Sequence, residues 1–365
     1  MSKFKITFNL KQHTPLIHFQ HDQTGATLRA SELKPRFDSY LLSKKESIPF
    51  KETHDGSRFL DYKIKILPLS TPQVVPIPTH SLYFGNMGDG EDKKFVNTHT
   101  SIKVEFFSYD HRILETINTY FEAFLANHNF GTRQSKGYGG FYLDKAFDTT
   151  LIDYKVYRFE SKNWEKDIRL FYQFLRQGIN LPRPNNKFYT KPAIFAYAKK
   201  MGWQWEKKTI KEQYFSNDLD QQKSVHRQDI VTYSSQEKYI LRDLFGLSSS
   251  QDWKSYKNAK IEKTHTNEKQ EIQRFKSPIT FKIINNGVYF WANDSYNKIL
   301  GETFKIQNKQ KGDLTLSTPK VFSFDDFFDY TFNTLNLSKH VDDSYHKVSE
   351  YITLQRIIES IKDHK

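Results

Sequence analysis

The run Asn129–Phe141, NFGTRQSKGYGGF, sets Gly131, Gly137, Gly139 and Gly140 around two cations, Arg133 and Lys136. Glycine reaches positive φ at little cost and lets the backbone approach another chain closely. Cations beside exposed backbone N–H groups make an edge suited to phosphate. The same run also reads as a glycine-rich helix C-cap followed by a bulge. It is not a Walker A loop, because Gly-Lys-[Ser/Thr] is missing, and not a Rossmann turn, because a helix precedes it.

The flanks of this run set the fold. Upstream, Asp110–His128 carries Ile113, Leu114, Ile117, Tyr120, Phe121, Phe124 and Leu125 on one helical stripe. Downstream, Phe141–Phe147 reads as a strand. Lys3–Leu10 (KFKITFNL), Tyr62–Leu69 and Thr100–Ser108 read as strands on period-two alternation. Leu28–Leu42 reads as a helix, with Ser31 as its N-cap and Pro35 in its first turn. Strand–helix–strand–strand–helix–strand predicts the ferredoxin-like split βαβ arrangement, with helices on one face of an antiparallel sheet.

The second half restarts with a strand at Tyr154–Phe159 and a helix at Trp164–Arg176. Thr190–Tyr214 reads as helical, opened by Pro192. Lys254–Lys276, rich in Lys, Glu and Asn, reads as mobile. Asn285-Asn286-Gly287, between Ile279–Ile284 and Val288–Trp291, signals a hairpin. Helices near Phe324–Leu335 and Tyr345–Ile361 close the chain. The expected architecture is α+β with two ferredoxin-like, RRM-related domains, 1–150 and a divergent 151–365 with helical insertions.

Lys and Arg number 55 against 42 Asp and Glu, a net charge of +13, and aromatics reach 16%. That balance suits a polyanionic partner, and the aromatics supply a core despite few aliphatics. With no cysteine, disulfides, thiolate metal sites and a Cys nucleophile are excluded, which fits a reducing cytosol. No apolar run approaches the ~20 residues that cross a bilayer, and MSKFKITFNL lacks a signal-peptide core, so a cytoplasmic protein is expected. Arg29, Lys34 and Arg36 crowd the start of the first helix, where the dipole disfavours cations unless an anion joins them. His13, His18 and His21 offer a metal or acid/base cluster. Among 13 histidines such a cluster also arises by chance, and no metalloprotease or deaminase signature accompanies it. No metal or cofactor is expected.

These motifs together resemble the RAMP superfamily of CRISPR–Cas proteins, most closely the head subunit of the Cmr (type III-B) kind. Thr14-Pro15-Leu16 follows the first strand, as in that family. Leu28, Arg29, Ser31, Leu33 and Lys34 match its Leu-Arg-x-Ser-x-[Ile/Leu]-Lys-Gly segment, with Pro35 where the family carries Gly. Gly131, Arg133, Lys136, Gly137, Tyr138 and Gly139 match its glycine loop, and Lys276-Ser277-Pro278-Ile279 its second-domain strand start. The resemblance implies an RNA-binding, non-catalytic subunit that caps the guide 3′ end of a type III CRISPR effector complex. Its partners would be guide RNA, the paired target RNA and other RAMP subunits. Arg29, Ser31, Lys34, Arg36, Gly131, Arg133, Lys136, Gly137 and Gly139 would line the RNA, with Tyr138 for base stacking. The alternative is a RAMP-type, metal-independent endoribonuclease that processes precursor guide RNA. In such enzymes the glycine loop lies near the C-terminus, whereas here it precedes residue 141. An unrelated RNA-binding module is disfavoured because RRM signatures on the central strands are missing.

Overall fold

The computed structural model describes residues 4–17, 27–44, 48–71, 73–76, 94–97, 101–182, 187–215, 237–253, 259–267, 271–308 and 311–363. The chain forms two compact units, Met1–Lys166 with Thr280–Trp291, and Asp167–Ile279 with Ala292–Lys365.

In the first unit, alternating apolar residues build β1 (Lys5–Gln12), β2 (Lys63–Pro68) and β3 (Ser101–Phe107), joined by the short β4 (Phe141–Leu143). Two helices intervene, α1 (Ala30–Lys44) and α2 (His111–Asn127). The four strands run in the order β2–β3–β1–β4, and every neighbour pair is antiparallel. Lys5 and Lys63 both oppose Phe107, and Asn9 and Leu67 both oppose Lys103. Because side chains alternate along a strand, Phe8, Leu10, Val104 and Phe106 then share the face that the helices cover. Phe37 of α1 meets Phe106, Phe121 and Phe124 at 5.9, 5.3 and 4.8 Å between ring centroids. Each such pair adds about 0.5–1.5 kcal/mol beyond the area it buries, so this stack pins both helices to one side.

Local chemistry explains the helix ends. Asp110 caps α2 by accepting from the Arg112 backbone N–H (2.9 Å). The start of α1 differs from the sequence expectation. The Arg29 carbonyl accepts from the backbone N–H groups of Glu32 (3.1 Å) and Leu33 (2.9 Å), so the turn closes there and Ser31 is a helical, exposed residue rather than the cap. Pro35 consequently sits past the first turn, where it removes the bond to the Ser31 carbonyl.

The first unit also takes in residues that sequence order assigns to the second half. A hairpin of β6 (Ile279–Ile284) and β7 (Gly287–Ala292) joins β5 (Tyr157–Glu160) in a three-stranded sheet, order β6–β7–β5. Its turn is the Asn285-Asn286-Gly287 signal, with Asn285 at φ 55. Val288 and Phe290 pair with Phe159 and Tyr157, which makes the first compact unit discontinuous in sequence.

The second unit holds a six-stranded sheet in the order 204–205, 238–239, 311–317, 303–308, 259–265, 250–253. Within the stretch expected to be mobile, Ala259–His265 is a strand paired on both sides. Buried Ile261, Lys263 and His265 anchor it, Lys263 on the buried carboxylate of Asp243 and His265 on Glu302 (2.7 Å). Thr190–Tyr214 resolves into helices Ala193–Lys200 and Glu206–Tyr214, separated at Gly202, whose φ is 73. Trp164–Arg176 is helical as expected. Among the described residues, no helix is long and apolar enough to cross a membrane.

Candidate nucleic-acid interface

Three separated sequence motifs meet at one place in the first unit. The glycine loop leaves α2 and folds back against the exit of β1. Thr14 Oγ1 donates to the Gly137 carbonyl (2.6 Å) and accepts from the Gly140 N–H (2.8 Å). The Gly139 N–H donates to the Pro15 carbonyl (2.8 Å), and the Thr132 N–H to the Ile17 carbonyl (2.9 Å). These contacts need glycine. Gly139 has φ 66, and a Cβ there would stand 1.9 Å from the Phe130 carbonyl oxygen. Gly131 has φ 76, and its Cβ would meet the Ile17 carbonyl oxygen at 2.6 Å. At Gly137 (φ 92) the obstacle is the Ile283 side chain.

The start of α1 is the third element. Glu32 Oε1 accepts from the Gly131 N–H (2.6 Å). Arg36 donates to the Asn129 carbonyl (2.8 Å) and to Gln134 Oε1, and lies over the Phe130 ring at 5.3 Å. Burial lowers its guanidinium pKa. Arg36 is thus a strap between helix and loop. Lys34 also turns inward: its ammonium binds Asp38 and the Leu60 carbonyl, each at 2.8 Å, and sits 3.9 Å from the Tyr62 ring centroid.

Of the other expected residues, Arg29 is half-buried beside the first turn of α1, and Ser31 is exposed on it. Arg133 is half-buried in the left-handed region (φ 59), and its carbonyl accepts from the Lys136 N–H (2.8 Å). The Lys136 ammonium departs from expectation too: it is buried, 5.9 Å from the Phe281 ring centroid, and so is not presented to a phosphate. Tyr138 departs from expectation. Its ring is fully buried, edge-on to Trp164 at 5.0 Å, and its hydroxyl donates to Glu165 (2.7 Å). A ring so enclosed offers no face on which a base could stack.

Sequence reasoning missed the residue that holds this site from beneath. Lys282, fully buried on β6, brings its Nζ to the carbonyls of Leu125 (2.6 Å), His128 (2.9 Å) and Phe141 (3.2 Å), and to Asn129 Oδ1 (3.2 Å). Burial pushes the amine down to about 7. A donor at the C-terminal end of α2 satisfies carbonyls the helix leaves open. The sequence signal for it is a lone lysine inside the apolar run ITFKII. His13 is pushed down to about 4, by burial first and then by Lys282 and Lys11. His18 and His21 lie outside the described residues. No group of three or more His, Cys, Asp or Glu that could hold a metal ion occurs among the described residues.

The family models define the class of this chain, a RAMP subunit of the Cmr kind. Residues 3–179 match the family model described as the Cmr1 N-terminal domain, and residues 189–363 the one described as the Cmr1 C-terminal domain. The chain belongs to the Cmr1 family. No curated protein matches it in sequence. Among solved structures it is similar to a chain in a type III-B Cmr-beta complex bound to cognate target RNA, at 16% identity and a TM-score of 0.29. That match covers 39% of this chain and 59% of that one. It is also similar to apo Cmr1 from Pyrococcus furiosus, at 10% identity and a TM-score of 0.31, over 88% of this chain and 91% of that one.

Proposed function

We propose that this protein is an RNA-binding, non-catalytic subunit of a type III-B CRISPR effector complex, acting in the cytoplasm in antiviral defence. It contacts guide RNA and the target paired with it, beside other RAMP subunits. The observation that carries this reading is the pair of Cmr1 family matches spanning nearly the whole chain. The first unit is read as ferredoxin-like and RRM-related, supported by the order β2–β3–β1–β4 with both helices on one face. The second is read as a divergent relative with helical insertions.

The inward roles of Lys34, Arg36, Lys136 and Tyr138 concentrate the phosphate contacts on Arg29, Ser31 and Arg133, around the glycine loop and the start of α1. The glycines Gly131, Gly137 and Gly139 hold that edge in shape. The test is Arg29→Ala combined with Arg133→Ala in the full chain. RNA affinity should fall for all sequences alike and the salt slope should become shallower, while stability changes by about 1 kcal/mol or less. Affinity equal to wild type would make the loop a structural turn alone.

A further inference from the structure

The face of the first sheet that α1 and α2 leave uncovered has a composition that neither the loop nor the core explains. Register puts Lys5, Thr7, Asn9 and Lys11 of β1 on it, beside Lys63 and Lys65 of β2 and Lys103 and Glu105 of β3. Lys11, Lys63 and Lys65 are exposed, as are Thr7 and Asn9. Glu105 is bound by Lys5 (2.7 Å) and Lys103 (2.9 Å), and these two hold its carboxyl down at about 2. It therefore stays ionised and offsets one positive charge, which leaves this stretch of the three strands strongly basic. The bland alternative, a solvated lysine face, does not account for the end where β3 leaves the sheet. There Tyr109 is 79% exposed, edge-on to Phe107 at 5.0 Å and to Phe4 at 5.6 Å. An aromatic ring held in place by two others, yet open to water, is a surface for stacking.

We infer that this uncovered sheet face is a second binding surface, for single-stranded RNA, with phosphates along Lys5, Lys11, Lys63, Lys65 and Lys103 and a base on Tyr109. Charge complementarity names a polyanion, and the aromatic end names one with free bases, since stacking on a side chain needs unpaired bases. From Lys5 to Lys11 the strand runs about 20 Å at ~3.3 Å per residue, room for a short single-stranded segment. Thr7 and Asn9 add hydrogen-bonding groups in the middle of the path. The inference rests on the RNA-binding reading above but uses none of the same residues.

The experiment uses the full-length chain and a fluorescein-labelled oligouridine, with affinity followed by anisotropy across a salt series. Lys63→Glu with Lys65→Glu, both exposed, should weaken binding roughly tenfold or more and lower the log–log salt slope by about 1.4, at ~0.7 for each phosphate no longer neutralised. Tyr109→Ala should weaken binding roughly tenfold with the slope unchanged. If wild type binds and the double variant binds equally with the same slope, the sheet face is not an RNA surface, while the loop reading survives. If the double variant binds RNA normally but fails to join the other subunits, the face docks an acidic protein surface and the inference is overturned. If wild type itself shows no salt-dependent binding, the functional reading falls, and this one with it.

Discussion

Lys282 carries the sharpest consequence at the scale of single residues. Its amine is pushed down to about 7 from an ordinary 10.5, so between those values the unfolded chain holds a proton that the folded chain has released. Stability contributed through this group rises with pH across that window, and the penalty is complete below about 7. Lys282→Met removes the slope and leaves the carbonyls of Leu125, His128 and Phe141 short of a donor. A loss of about 2–3 kcal/mol is expected at pH 9, shrinking towards pH 7. Denaturant midpoints at both pH values check it, and parallel behaviour of the two proteins would contradict the assignment. His128 acts at the acid end. Burial pushes it down to about 4, against a hydrogen bond from its ring to the Phe124 carbonyl (2.9 Å). The unfolded chain protonates first, so stability drops as pH falls from about 6.5 to about 4, and His128→Gln should flatten that decline in the same measurement. None of this was legible in sequence. Lys34, Arg36 and Tyr138 sit in a matching motif, but which way a side chain turns depends on the Leu60 carbonyl, Gln134 and Glu165, all remote in sequence.

At the scale of elements, the glycine loop separates two kinds of strain. Gly139→Ala drives a Cβ to within 1.9 Å of the Phe130 carbonyl, a backbone atom that cannot step aside. The expected loss is more than about 3 kcal/mol, with failure to fold as its limit. Gly56 has φ 80 but nothing within 4 Å of an added methyl, so Gly56→Ala should cost about 1–2 kcal/mol, the left-handed penalty alone. Thermal midpoints of the two variants give the comparison, and equal losses would mean that close approach does not explain the loop. The elements of the first unit were readable because periods of two and 3.6 are local signals. Both readings of NFGTRQSKGYGGF also stood open in sequence, and packing against Thr14–Ile17 shows that its glycines serve backbone approach. The placement of β6 and β7 was not readable, because their partner, Tyr157–Glu160, is remote in sequence.

At the scale of the whole molecule, the chain is proposed as a binder and not a catalyst. Purified protein incubated with repeat RNA, with chelator or with divalent metal, should leave the RNA intact, and cleavage bands that vanish on replacing His13 would restore the endoribonuclease alternative. In that proposal, the net charge of +13 and the clustered cations of the first unit would make phosphate neutralisation the main source of affinity. The most direct test is therefore the affinity of the full chain for a labelled single-stranded RNA of arbitrary sequence, measured between about 50 and 200 mM salt, the range over which counterion release is read. A linear log–log fall is expected, with a slope of about 2 or steeper at ~0.7 per neutralised phosphate, and little change when the sequence is altered. A flat salt response, or binding confined to one sequence, would contradict a phosphate-led RNA binder.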